Sequence, residues 1–138
     1  MLNIYVGCGL TQAPLPFCAE VDALKEELRA HAVVYNFMGI FDGTPLTVYQ
    51  RDIHECVAGC DAFIAISDFP SMGLGYELGV AVEKLCKPTL SLASVDSKIS
   101  RLIIGIAQPH YRFARYRTKE ERFALCLAFI REVSAMRA

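Results

Sequence analysis

Along this chain, short apolar runs alternate with stretches in which apolar residues recur every three or four positions. The runs fall at residues 2–6, 32–37, 62–67, 89–93 and 111–116. Each is rich in β-branched, leucine or aromatic residues and is bounded by Gly, Pro, Asp or Ser, the signature of a strand. Between them, residues 19–32 carry Val21, Leu24 and Leu28 at helical spacing, and residues 47–59 carry Val48, Ile53, Cys56 and Val57. Further helices are expected over residues 76–86, ending before Lys87-Pro88, over a short segment at 100–106, and over 118–136. Strands that are apolar throughout, each followed by a helix, are covered on both faces and so pair in parallel. The pattern predicts an α/β fold: a small doubly wound parallel sheet of about five strands.

The length, 138 residues, suits one domain over 1–138 with a core that needs no metal or disulfide. With 54% hydrophobic and 21% charged residues, disorder is not expected. A formal net charge of -1 argues against a nucleic-acid surface, and no apolar run is long enough to span a bilayer. Residues 2–6 lack a basic leader and read as a first strand, so the expected location is the cytosol. The six cysteines contain no Cys-x-x-Cys pair, and Cys56 and Cys60 find no second pair to complete a tetrahedral site. They read as reduced, mostly buried thiols, with Cys8 set apart by its glycine-flanked loop. His31, His54 and His110 converge on no motif, although His54 stands near Asp52. No metal or cofactor is called for.

The stretch from Ser67 to Gly79 carries the chemistry. It follows the third strand with Pro70 and two glycines, and places Glu77 in what reads as the first turn of a helix. Its Gly-x-Gly-x-x-x-Gly spacing, after the third strand and with no acidic residue ending the next, is not a dinucleotide fingerprint. The lack of Gly-Lys-Ser/Thr rules out a P-loop. Glu77 then has two readings: complement to a helix dipole, about 0.3–1 kcal/mol, or a carboxylate aimed into a ligand crevice at the carboxyl ends of the strands.

Pro70-Ser71-Met72-Gly73-Leu74-Gly75-Tyr76-Glu77-Leu78-Gly79 resembles the signature of the nucleoside 2-deoxyribosyltransferase superfamily. In particular it resembles the branch of 2'-deoxynucleoside 5'-phosphate N-hydrolases, whose turn reads Pro-Ser-x-Gly-Val-Gly-Tyr-Glu. Arg51-Asp52, Asp61, Lys87-Pro88 and Ser100-Arg101-Leu102-Ile103-Ile104-Gly105 follow in the family's order over about residues 2–106. The resemblance implies that Glu77 is a nucleophile attacking the anomeric carbon, and that Asp52 positions the sugar and protonates the leaving base. It implies substrate contacts from Tyr5, Gly7, Cys8, Ser71, Gly73, Gly75, Ser100 and Leu102. Ser71 favours a phosphate where the transferases carry aspartate. Ser100 corresponds to a serine that enters a neighbouring subunit's site, which implies a homodimer or larger assembly; its alternative role is a helix N-cap.

The first loop departs from the family, with Cys8-Gly9-Leu10 where the hydrolases carry a serine and an arginine. The family tyrosine aligns with Ile4, leaving Tyr5 on the opposite face of the strand. Arg101 is a candidate replacement for the missing charge. One extra residue separates Asp52 from Asp61, expected at the corner 58–60. Residues 38–45, with Phe41 and Asp42, are expected near the base, and Arg112, Arg115 and Arg117 read as a solvated strand edge. The leading reading is therefore an N-glycosidase acting on a nucleoside 5'-monophosphate or nucleoside. Alternatives are a deoxyribosyltransferase, separated by its need for an acceptor base, and a non-catalytic nucleotide-binding module, separated by binding without base release.

Overall fold

A computed structural model describes residues 1–36 and 43–137. Five strands, β1 (Asn3–Cys8), β2 (Val33–Val34), β3 (Ala62–Ile66), β4 (Thr89–Ser94) and β5 (Tyr111–Tyr116), form one all-parallel sheet in the order β2-β1-β3-β4-β5. The helices are α1 (Leu15–Leu28), α2 (Pro45–Tyr49), α3 (Met72–Gly79), α4 (Arg101–Ile104) and α5 (Lys119–Arg137). π-helical runs extend two of them, Gln50–Val57 after α2 and Val80–Lys84 after α3. The strand order reverses at β1, so β1 and β3 flank the switch point where open α/β sheets bind ligands.

The sheet separates two cores. On one face Ile4, Val6, Ile64 and Leu92 pack against Phe17, Val21, Leu24 and Leu28 of α1 and against Phe129, Ile130 and Val133 of α5. On the other, Tyr5, Phe63 and Ala65 meet Ile53, Val57, Leu74, Leu78 and Val82. Alternate residues of β1 thus serve opposite faces, as a pleated strand requires. No helix among the described residues is long and apolar enough to cross a membrane.

Several boundaries differ from expectation. Helix α1 begins at Leu15, with Pro14 at its N-cap, because proline is at home in a first turn that has no N–H bond to lose. Strand β2 shrinks to two residues, and residues 37–42, which include Phe41, Asp42 and most of the expected base-covering loop, lie outside the described residues. The largest difference is α3, which begins at Met72. Ser71 is its N-cap, and its hydroxyl accepts the Leu74 N–H at 3.1 Å. Glycines 73 and 75 sit inside the helix with ordinary negative φ, so they permit the turn without interrupting it. The helix ends further on, where Cys86 takes a left-handed φ of 52° before Lys87-Pro88.

The wide turns of Gln50–Val57 hold one more residue per turn than an α-helix. The corner at 58–60, the expected place of the extra residue, follows this run. That corner is closed by Lys87, whose ammonium donates to Ala58 O at 2.8 Å and Cys60 O at 2.9 Å. Asp61 accepts the Asn3 N–H at 2.8 Å and pairs with Arg137, a structural role. The arginines of β5 are bound, not merely solvated: Arg112 pairs with Glu132, and Arg115 donates to Ser94 O and Ser97 O at 2.9 and 2.8 Å.

Candidate active site

Because α3 starts early, Glu77 is the sixth residue of the helix and points from its second turn back across the ends of β1 and β3. A dipole-capping role is thereby removed, since that effect fades after the first turn. The carboxyl is 6% exposed, and the Tyr5 hydroxyl donates to Glu77 Oε2 at 2.6 Å. Tyr5 itself stacks on Phe63, with ring centroids 5.3 Å apart. The expectation that Tyr5 faces away from the crevice is corrected. The pleat rule holds, but Ile4 is the residue directed to the α1/α5 core, and Tyr5 occupies the Glu77 face. Gly7, two residues on, gives Glu77 its room: a Cβ there would stand 3.1 Å from Phe63, 3.2 Å from Leu74 and 3.4 Å from Glu77 Oε1.

Asp52, on the π-helical run, supplies the second carboxyl, and its Oδ1 is buried with no hydrogen-bond partner among the described residues. Burial pushes the Glu77 carboxyl up to about 7, opposed by the Tyr5 hydrogen bond and reinforced by the nearby Asp52 charge. Burial likewise raises Asp52 to about 6, against the pull of Arg51. Tyr5 is raised above its ordinary value by burial and then by Glu77, so it remains a donor. Both carboxyls are thus raised toward neutrality, Glu77 above Asp52.

Both carboxyls open on a cavity of about 320 Å³, which Cys8, Ser71 and Gly73 also line. A second cavity, about 210 Å³, reaches Glu77 from the side of Tyr5, Gly7 and Cys8 and continues to Lys25. Cys8 is a protonated thiol here, pushed up to about 11 by burial. A third cavity, about 360 Å³, adjoins the first across Ser71 and is lined by Gly75, Lys98 and Ser100. A Cβ at Gly75 would meet nothing within 4 Å, so no packing within the chain demands glycine there. Ser100 caps α4, accepting the Leu102 N–H at 3.2 Å, while Leu102 is 77% exposed and lines none of these three cavities. Seven of the eight binding candidates thus gather around the carboxyl pair and its neighbouring chamber; Leu102 stands outside.

Thr11 and Gln12, which also line the 320 Å³ cavity, were not among the sequence candidates. Their position in the loop leaving the first strand at a switch point was the available signal. His54 bonds the Tyr49 hydroxyl at 3.2 Å and is exposed. Among the described residues, no group of three or more His, Cys, Asp and Glu side chains could hold a metal.

Fold and site together define a doubly wound α/β domain with a paired-carboxylate crevice at its switch point. Among solved structures sharing this fold is Clostridium botulinum CMP N-glycosidase, BcmB, which is 19% identical to this chain. The two superpose with a TM-score of 0.69, covering 92% of this chain and 98% of that one. At this identity the likeness establishes the fold, which is the fold implied by the sequence resemblance. No family model matches the sequence, and no curated protein matches it.

Proposed function

We propose that this protein is an N-glycosidase of the nucleoside 2-deoxyribosyltransferase superfamily, hydrolysing a nucleoside 5'-monophosphate to free base and sugar 5-phosphate. One observation carries the reading. Glu77 is buried with a single tyrosine donor and no ion pair, beside an Asp52 oxygen with no partner, and both face one cavity. A carboxylate kept so poorly stabilised is reactive toward an electron-poor carbon. In the first step Glu77 bonds to the anomeric carbon as the C–N bond breaks, and Asp52 gives its proton to the departing base. In the second, water attacks that carbon, Asp52 takes the water proton, and the ester to Glu77 breaks. The configuration at carbon is retained.

The superfamily signature, the fold shared with a CMP N-glycosidase and the serine at position 71 support a nucleotide substrate. A homodimer is supported by the exposed apolar side chains of Met72, 95% exposed, and Leu102 beside the Ser100 chamber. Chromatographic base release from each common nucleoside monophosphate and nucleoside, with and without an added acceptor base, tests the reading. One base released without acceptor supports hydrolysis, and release only with acceptor favours transfer. Binding with no release under any condition overturns it.

A further inference from the structure

The cavity holding Glu77 and Asp52 contains no cation among its lining residues, only carboxyls, hydroxyls, an amide, a thiol and apolar groups. A phosphate there would face two acidic groups with no cation on the cavity's own walls. The adjoining 360 Å³ chamber shares Gln12, Pro70, Ser71, Met72 and Leu74 with it, and carries one cation, Lys98, together with the Ser71 and Ser100 hydroxyls. Lys98 takes part in none of the ion pairs among the described residues. Its backbone neighbour is held from β5: the Arg115 guanidinium donates to both Ser94 O and Ser97 O, and the Ser97 N–H returns to Ser94 O at 3.1 Å. An arginine spent on two carbonyls fixes the loop that presents a flexible ammonium. Of the other nearby cations, Arg101 lines neither chamber and Lys25 lines only the 210 Å³ cavity on the Tyr5 side of Glu77.

We propose that Lys98 is the residue that selects a sugar 5-phosphate ester, with the phosphate lying across Ser71 between the two chambers and Arg115 acting as the positioning residue for the Lys98 loop. This rests on the N-glycosidase reading for the location of the sugar, but its recognition chemistry does not depend on turnover. A charge-assisted contact of this kind is worth roughly 10- to 100-fold in affinity.

The test uses the full chain and four proteins: wild type, Lys98→Met, Lys98→Arg and Arg101→Met. Dissociation constants are measured calorimetrically for ribose 5-phosphate and 2-deoxyribose 5-phosphate, with inorganic phosphate and free ribose as controls. Wild type is expected to prefer a sugar phosphate to both controls. Lys98→Met should weaken that binding about tenfold or more, Lys98→Arg should recover most of it, and Arg101→Met should match wild type. Where base release occurs, the kcat/KM ratio of monophosphate to nucleoside should fall in Lys98→Met through KM. Unchanged binding in Lys98→Met, equal binding of inorganic phosphate, or no sugar-phosphate binding by wild type each overturns the proposal. Lys98-dependent binding without base release from any nucleotide would leave Lys98 standing and sink the enzyme reading. Base release whose monophosphate preference ignores Lys98 would do the reverse.

Discussion

Two carboxylates follow β3, nine residues apart in sequence, and each accepts a tyrosine hydroxyl. On the α1/α5 side, Asp68 takes the Tyr116 hydroxyl at 2.7 Å and the Ser94 N–H at 3.2 Å, while buried Arg122 shares that hydroxyl at 3.4 Å. On the other side, Glu77 has Tyr5 alone. Asp68 is thus the centre of a polar network joining β3, β4, β5 and α5, although its Oδ1, like that of Asp52, has no hydrogen-bond partner among the described residues. Asp68 ties the 67–71 loop in place; Glu77, carried at the far end of the same segment, is left short of donors. The two carboxylates differ in the number of donors around them and in burial, Glu77 being the more deeply buried, and not in the presence of tyrosine.

The strongest test of this contrast is Glu77→Gln, expected to lower base release on the order of 10³-fold or more while the chain stays folded. Stability should move the other way. Glu77 has a folded pKa raised from 4.5 to about 7, so its contribution is full below the lower value and is lost as pH rises through the higher one. Glutamine escapes that loss, so the variant should be more stable than wild type above pH 8 by up to roughly 3 kcal/mol, with little difference at pH 4.5. Equal melting curves at both pH values would contradict the burial argument.

Tyr5→Phe should reduce kcat/KM roughly tenfold. By removing the one donor that lowers the Glu77 pKa, it should also move the falling limb of the pH profile to higher pH. In wild type that profile should be a narrow bell with limbs near 6 and near 7, because only the form with Glu77 ionised and Asp52 protonated reacts, the minor of the two singly protonated forms. Asp68→Asn sharpens the comparison from the structural side. It should cost about 1–3 kcal/mol in denaturant unfolding, with activity per folded molecule changed far less than by Tyr5→Phe. A larger catalytic than structural effect at Asp68 would erase the distinction.

The order of strands and helices was legible because the central strands are near-continuous apolar runs and the helices repeat with their own period. Strand β5 and helix α5 fall within a residue or two of the expected limits. The start of α3 was not legible. Glycine lowers helix propensity, so Met72-Gly73-Leu74-Gly75 reads as a turn, and only the capping bond from Ser71 shows that the helix has begun. The face taken by Tyr5 was missed because neighbouring strand residues serve opposite faces, and nothing in the sequence says which face of β1 meets α3. Glu77, Asp52 and Ser71 were singled out from short motifs whose residues the fold brings together. Gln12 and Lys98, on loops, and Lys25, on α1, belong to no motif, and only tertiary packing brings them to the crevice and its neighbouring chambers.

The Tyr5–Glu77 hydrogen bond also makes the site observable by light. The chain has no tryptophan and six tyrosines, so tyrosine dominates its near-ultraviolet absorption and emission. One of those chromophores shares its proton with the carboxyl of interest and lies flat against Phe63. Its spectrum is expected to shift when Glu77 gains a proton, and a wild-type minus Tyr5→Phe difference spectrum would isolate that shift. The crevice thereby carries its own unlabelled reporter of the charge on Glu77.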